Sequence, residues 1–144
     1  MQLFKEMKEL NSITFQRSLC CANATEPPML CVFSDAWQYA FGACAYIRQR
    51  KNDDKYQVRL IAAKSRVAPL KQLSIPLMEL QAALLASRRA KTIEQESRLR
   101  FQSVKLFTDS TITLAWLQSP SEASSHLFPH VWVKSRAKIG RAHV

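Results

Sequence analysis

Two short apolar runs in this chain end in the same way. Val32-Phe33-Ser34-Asp35 and Leu106-Phe107-Thr108-Asp109 each carry bulky residues into a small hydroxyl residue and then a carboxylate. A short run of aliphatic and aromatic residues bounded by polar ones reads as a buried strand. Open α/β sheets gather their functional groups at the carboxyl ends of strands, where the chain leaves the core. Two such strands side by side place Asp35 and Asp109 at one edge of one sheet. Between them in sequence lies Glu79, an isolated acid in a long apolar helix pattern.

The rest of the chain supplies the other elements. Residues 29–34, 41–50 and 56–66 read as three strands, the last two joined by the polar turn Lys51-Asn52-Asp53-Asp54-Lys55. Gly42 allows a close backbone approach or a bulge. Ser74 followed by Pro76 marks a helix start, a capping hydroxyl and then a proline where no amide donor is needed. The helix covers about residues 75–97. Glu79, Ala83, Ala86 and Ala90 form one stripe and Leu77, Leu80 and Leu84 another, so the helix is expected to lie between the sheet and a second helix. The small alanine stripe lets that second helix approach closely, with Glu79 at its mouth. Arg88, Arg89 and Lys91 turn its later part basic, which suits the helix dipole. A strand over 104–108, a helix from Asp109 and a strand over 127–133 complete the order βββαβαβ. This is α/β with a mixed sheet. Residues 1–11 have apolar residues at helical spacing.

Charge narrows the choice of partner. The 144 residues carry 21 Lys and Arg against 11 Asp and Glu, a net charge of +10. That excess favours a polyanion, nucleic acid before membrane, because no basic amphipathic helix with an aromatic face and no membrane-length apolar run is present. Cys20, Cys21, Cys31 and Cys44 show no zinc-type spacing, and Cys31 and Cys44 read as small core residues. An intracellular, reducing setting is expected, and no signal-peptide pattern opens the chain.

Each acid has an ordinary structural role open to it. Asp109 suits a helix N-cap, Asp35 a turn, and Glu79 the positive end of its helix. Together they weigh differently, because the chain has only four aspartates and two of them close its most apolar strands. Converging carboxylates with no basic neighbours in sequence point to a hard cation with oxygen ligands, Mg²⁺ or Mn²⁺. Two such ions support phosphodiester hydrolysis.

The ordered series of motifs resembles one family. Phe33-Ser34-Asp35-Ala36, Tyr39-Ala40-Phe41-Gly42-Ala43-Cys44-Ala45-Tyr46-Ile47-Arg48 and Ala62-Ala63-Lys64-Ser65-Arg66-Val67-Ala68-Pro69 are similar to the ribonuclease H-like segment of BEL/Pao retrotransposon polyproteins. Ile75-Pro76-Leu77-Met78-Glu79-Leu80-Gln81-Ala82-Ala83 and Thr108-Asp109-Ser110-Thr111-Ile112-Thr113-Leu114-Ala115-Trp116 resemble the family's next two blocks. The resemblance implies a ribonuclease H-like fold with a five-stranded sheet. It makes Asp35, Glu79 and Asp109 the catalytic, metal-holding acids for Mg²⁺ or Mn²⁺. It implies an RNA–DNA hybrid as substrate, cut during reverse transcription in the cytoplasm or a virus-like particle. Lys64, Arg66, Arg88, Arg89 and Lys91 are the candidate phosphate contacts. The neighbouring regions of such a polyprotein are a reverse transcriptase before and an integrase after.

Departures from the family pattern define the alternatives. Trp37 stands where the family has a small residue, and the fourth acid expected on a later helix has no counterpart. Residues 1–28 are expected to be a connector from the preceding region and 29–138 a truncated ribonuclease H-like domain. Residues 139–144, Ile-Gly-Arg-Ala-His-Val, resemble a translated sequencing adapter and are expected to be a non-native tail. The alternative function is a catalytically inactive nucleic-acid-binding fragment. The family's name refers to a peptidase, but aspartic proteases need Asp-Thr/Ser-Gly. Asp35 is followed by Ala36-Trp37 and Asp109 by Ser110-Thr111, so proteolysis is excluded.

Overall fold

The computed structural model describes residues 12–14, 17–19, 23–71 and 73–118. Four strands and two helices follow one another: β1 (Met29–Trp37), β2 (Ala40–Arg50), β3 (Tyr56–Val67), α1 (Ile75–Glu96), β4 (Ser103–Phe107) and α2 (Thr111–Gln118). The expected helix in 1–11, the strand over 127–133, Cys20, Cys21 and the tail all lie outside the described residues. No described helix is long and apolar enough to cross a membrane.

The strands form one mixed sheet in the order β3-β2-β1-β4. β1 and β2 are antiparallel and joined by a tight hairpin, with Trp37 opposite Ala40. β1 and β4 are parallel, from Met29 opposite Ser103 to Phe33 opposite Phe107. Parallel strands need a long crossover, and α1 provides it. Gln102 N donates to Pro28 O at 2.8 Å at one end of the sheet, and Ala68 N donates to Tyr39 O at 2.8 Å at the other. β3 therefore ends beside the β1–β2 hairpin, and α1 starts from the end of the sheet where β1 and β4 finish.

Strand alternation sorts the side chains. Leu30 and Val32 of β1, Ala43 and Ala45 of β2 and Leu106 of β4 are buried in one cluster with Ala86 and Ala90 of α1. The alanine stripe thus meets the sheet rather than a second helix, correcting the sequence expectation. Small side chains there let the helix backbone approach the sheet closely. Leu77, from the other stripe, is exposed, and Leu80 and Leu84 are half-buried. On the opposite face Phe33 stacks on Phe107 at 4.7 Å between centroids and meets Tyr46 edge-on at 5.8 Å. Among the described residues this second face carries no covering element.

Three further details differ from the sequence expectation. β1 runs three residues beyond 34, because Asp35, Ala36 and Trp37 pair with Gly42, Phe41 and Ala40. Ser74 occupies the N-cap position of α1 with Pro76 two residues on, but its hydroxyl makes no capping bond. Arg88, Arg89 and Lys91 lie short of the last turn of α1, which contains no basic residue.

Leu30 is fully buried under α1. Leu30→Ala is expected to destabilise the chain by about 2–5 kcal/mol, the usual cost of such a truncation in a packed core, read from the urea unfolding midpoint.

Candidate active site

Asp35 lies inside β1, two residues past the last pair with β4, and Asp109 lies two residues beyond β4. Parallel strands finish at the same end, so both aspartates reach one rim of the sheet. They line one open cavity of about 820 Å³, along with Phe33, Trp37, Gly42, Cys44, Lys64, Ser65 and Phe107. The alternation that buries Leu30, Val32 and Ser34 under α1 sends Cys31, Phe33 and Asp35 to the other face, where this cavity opens.

Local hydrogen bonds fix the rim. Ser34 Oγ donates to Phe107 O at 3.3 Å, tying the ends of β1 and β4 together. Ala36 N donates to Asp35 Oδ1 at 2.8 Å. Thr108 Oγ1 accepts from Ser110 N at 3.3 Å, and Ser110 Oγ accepts from Thr113 N at 3.2 Å. Ser110 is therefore the cap of α2, and the carboxylate of Asp109 is not used for capping. Asp35 is likewise not a turn residue, since it pairs with Gly42 within the sheet.

The four aspartates divide into two kinds. Asp54 is paired with Arg50 at 2.7 Å and Asp53 with Lys55 at 3.4 Å, both in the β2–β3 turn. Asp35 and Asp109 have no ion pair among the described residues. Carboxylates left without a basic partner at an open rim are the hard oxygen donors that a divalent cation takes.

Gly42 sits directly opposite Asp35. A Cβ there would lie 3.1 Å from Lys64 O and 3.6 Å from Ser65 Cα. The missing side chain thus allows β3 to approach and leaves the space across from Asp35 open. The register shift lies further along, between Ala45 and Tyr46. Cys44 lines the cavity. Cys31, beside it on the same face, is buried, and burial pushes its thiol up against the lowering pull of Arg48 and Lys105. A thiol held protonated in this way is an inert packing group.

Glu79 is placed differently. The first turns of α1 start from the same end of the sheet, but on the face opposite to the one Asp35 projects from. Glu79 does not line the cavity, and its Oε2 is buried without a hydrogen-bond partner. Among the described residues no three His, Cys, Asp or Glu side chains are grouped to hold a metal ion. Of the three acids expected to converge, Asp35 and Asp109 line one cavity and Glu79 does not, because strand alternation sends Asp35 to the face opposite α1. Their oxygen donors suit a hard cation, and the orphaned Glu79 oxygen is a further hard donor at the same end of the sheet. Of the candidate phosphate contacts, Lys64 lines the cavity and Arg66 is exposed two residues on. Arg88, Arg89 and Lys91 do not line it, since α1 carries them about 13–18 Å beyond Glu79 toward the far end of the sheet.

A family model described as "Pao retrotransposon-like RNaseH-like domain" matches residues 1–110. The chain belongs to that family. It is a ribonuclease H-like domain of the Pao retrotransposon type, and its α/β mixed sheet is that fold; of the five expected strands, four are described. No curated protein matches the chain. Among solved structures, LC11 ribonuclease H1 in complex with an RNA/DNA hybrid is 11% identical with a TM-score of 0.43, covering 79% of this chain and 89% of that one. Ribonuclease H1 of Halobacterium salinarum is 12% identical with a TM-score of 0.40, covering 76% and 86%. Prototype foamy virus protease–reverse transcriptase is 10% identical with a TM-score of 0.39, covering 85% of this chain and 19% of that one. The fold assignment rests on the family match and the strand order, not on these likenesses.

An unpartnered buried carboxylate oxygen is destabilising. In chelator, Glu79→Leu is expected to raise stability by about 1 kcal/mol, read as a higher urea midpoint; a lower midpoint shows that the carboxylate has a stabilising partner.

Proposed function

We propose that this chain binds RNA–DNA hybrid and hydrolyses the phosphodiester bonds of its RNA strand, as the ribonuclease H-like segment of a retrotransposon polyprotein. The observation that carries this is the convergence of Asp35 and Asp109 on one cavity, neither neutralised by a basic side chain, in a chain of this family. Asp35 and Asp109 would hold the divalent ions, Mg²⁺ or Mn²⁺, with Glu79 as a further donor if its side chain turns toward the rim. When bound, such ions supply an activated water and neutralise charge at the reacting phosphate.

The chain's own groups do the remaining work. Lys64, at the cavity, and Arg66, beyond it on β3, meet the phosphates of the polyanion. Gly42 keeps the space across from Asp35 free for the scissile group. Ser34 holds the ends of β1 and β4 together, so that the two aspartates keep their spacing. Discrimination of RNA from DNA would come from 2′-hydroxyl contacts across a wide minor groove rather than from bases. In the polyprotein, reverse transcriptase and integrase regions would be the covalent neighbours.

A second function is favoured by one observation. Glu79 does not join the cavity and no group of three acids forms among the described residues. A chain with only two site carboxylates would hold hybrid without cutting it.

The two are separated by turnover. Wild-type chain is expected to cleave the RNA of a labelled hybrid in Mg²⁺ or Mn²⁺ and to stop on addition of chelator. Asp109→Asn is expected to reduce cleavage at least about 100-fold, as loss of a metal-holding carboxylate does, with hybrid binding unchanged. Tight binding with no turnover by wild type establishes the second function instead. Affinity is expected to fall steeply between 50 and 200 mM salt through counterion release, measured by fluorescence anisotropy; salt-independent binding contradicts the role of the basic side chains.

A further inference from the structure

The β1–β2 hairpin ends in two aromatic residues that the cleavage chemistry does not use. Trp37 is 63% exposed at the end of β1 and Tyr39 61% exposed in the turn that follows. Their rings meet edge-to-face, with centroids 5.0 Å apart and planes at 88°. The backbone beneath them is fixed on both sides. Trp37 pairs with Ala40, Ala40 pairs with Val67, and Ala68 N donates to Tyr39 O at 2.8 Å. Ala40 is too small to cover the indole from across the hairpin. Exposing so much aromatic surface is unfavourable, and here it is held rigidly at a cavity wall that also carries Asp35 and Lys64.

We propose that Trp37, braced by Tyr39, is a stacking platform for an unpaired nucleotide next to the aspartate pair. The chain would then engage hybrid by preference where it adjoins a single strand. This rests on the nucleic-acid function proposed above and adds a specificity to it. Three features select a nucleobase over another apolar occupant. The ring is rigid and flat, which suits the sequence-tolerant stacking of bases on aromatic side chains. The chain carries a net charge of +10, so the partner that reaches this rim is a polyanion. Lys64 lines the same cavity as Trp37, and from the exposed strand β3 its long stem would carry an ammonium to the backbone phosphate while Trp37 takes the base. Inside a duplex both faces of each base are covered by its neighbours, so only an unpaired or terminal base offers a face to the indole.

The test compares two hybrids in chelator, using the whole chain and fluorescence anisotropy. One hybrid is blunt, and in the other the RNA strand extends beyond the DNA as a single strand. Wild type is expected to bind the extended hybrid more tightly. Trp37→Ala is expected to weaken binding to the extended hybrid roughly 5- to 100-fold, to leave the blunt hybrid within about twofold, and so to erase the preference. Trp37→Phe keeps a stacking face and is expected to retain most of it, which separates stacking from any loss of folding. Equal affinity of Trp37→Ala and wild type for the extended hybrid overturns the proposal, as does equal weakening on both hybrids. Failure of wild type to bind either hybrid overturns the nucleic-acid function itself and the platform with it.

Discussion

The parallel pairing of β1 with β4 is the constraint on which the site depends. It is the one parallel pairing among the described strands, and it brings together two segments that are distant in sequence. The chain has to cross the sheet to make it, and α1 crosses on an alanine face that lets it pack close to Leu30, Val32 and Leu106. The stack of Phe33 on Phe107 and the bond from Ser34 Oγ to Phe107 O lock the last turn of the pairing. Once those contacts form, Asp35 and Asp109 have no other place to go than the same rim. Everything proposed about chemistry here follows from that single register.

Electrostatics then distinguishes this rim from the rest of the surface. In a chain with 21 basic residues, an exposed carboxylate finds a cation easily, as Asp53 and Asp54 do in the β2–β3 turn. Asp35 and Asp109 are left without one, and Gly42 leaves the room in front of Asp35 empty of side chain. Unneutralised like charges, an open space and hard oxygen donors are what a divalent cation requires. Glu79 has the opposite problem: one of its oxygens is buried and unpartnered on the helix side of the sheet.

Much of this was legible in the sequence, and the limits have physical causes. The apolar runs closing on Ser34-Asp35 and Thr108-Asp109 gave the strands and their shared edge, because burial and strand ends leave strong local signals. Existence and order of the elements followed from periodicity and from Ser74 and Pro76. The helix cap of Asp109 did not survive, since Ser110 competes for the same amide and is one residue better placed. The separation of Glu79 from Asp35 was invisible for a different reason. It depends on which face of the sheet α1 covers and which face Asp35 points from, and a one-residue change of parity moves a strand side chain across the sheet. The placement of the alanine stripe against the sheet, not against a helix, also needs the third dimension. Trp37 departs from the family pattern in sequence, but its exposure against Tyr39 could not be read from composition.

The central claim is that Asp35 and Asp109 jointly hold a divalent cation. Paramagnetic broadening by Mn²⁺ in the amide NMR spectrum of the isotope-labelled chain tests it most directly, because the effect falls off steeply with distance from the ion. The expected result is broadening centred on residues 34–37 and 108–110 together, lost from both segments in Asp35→Asn. Broadening centred on the Asp53-Asp54 turn, or none in either segment, contradicts the account.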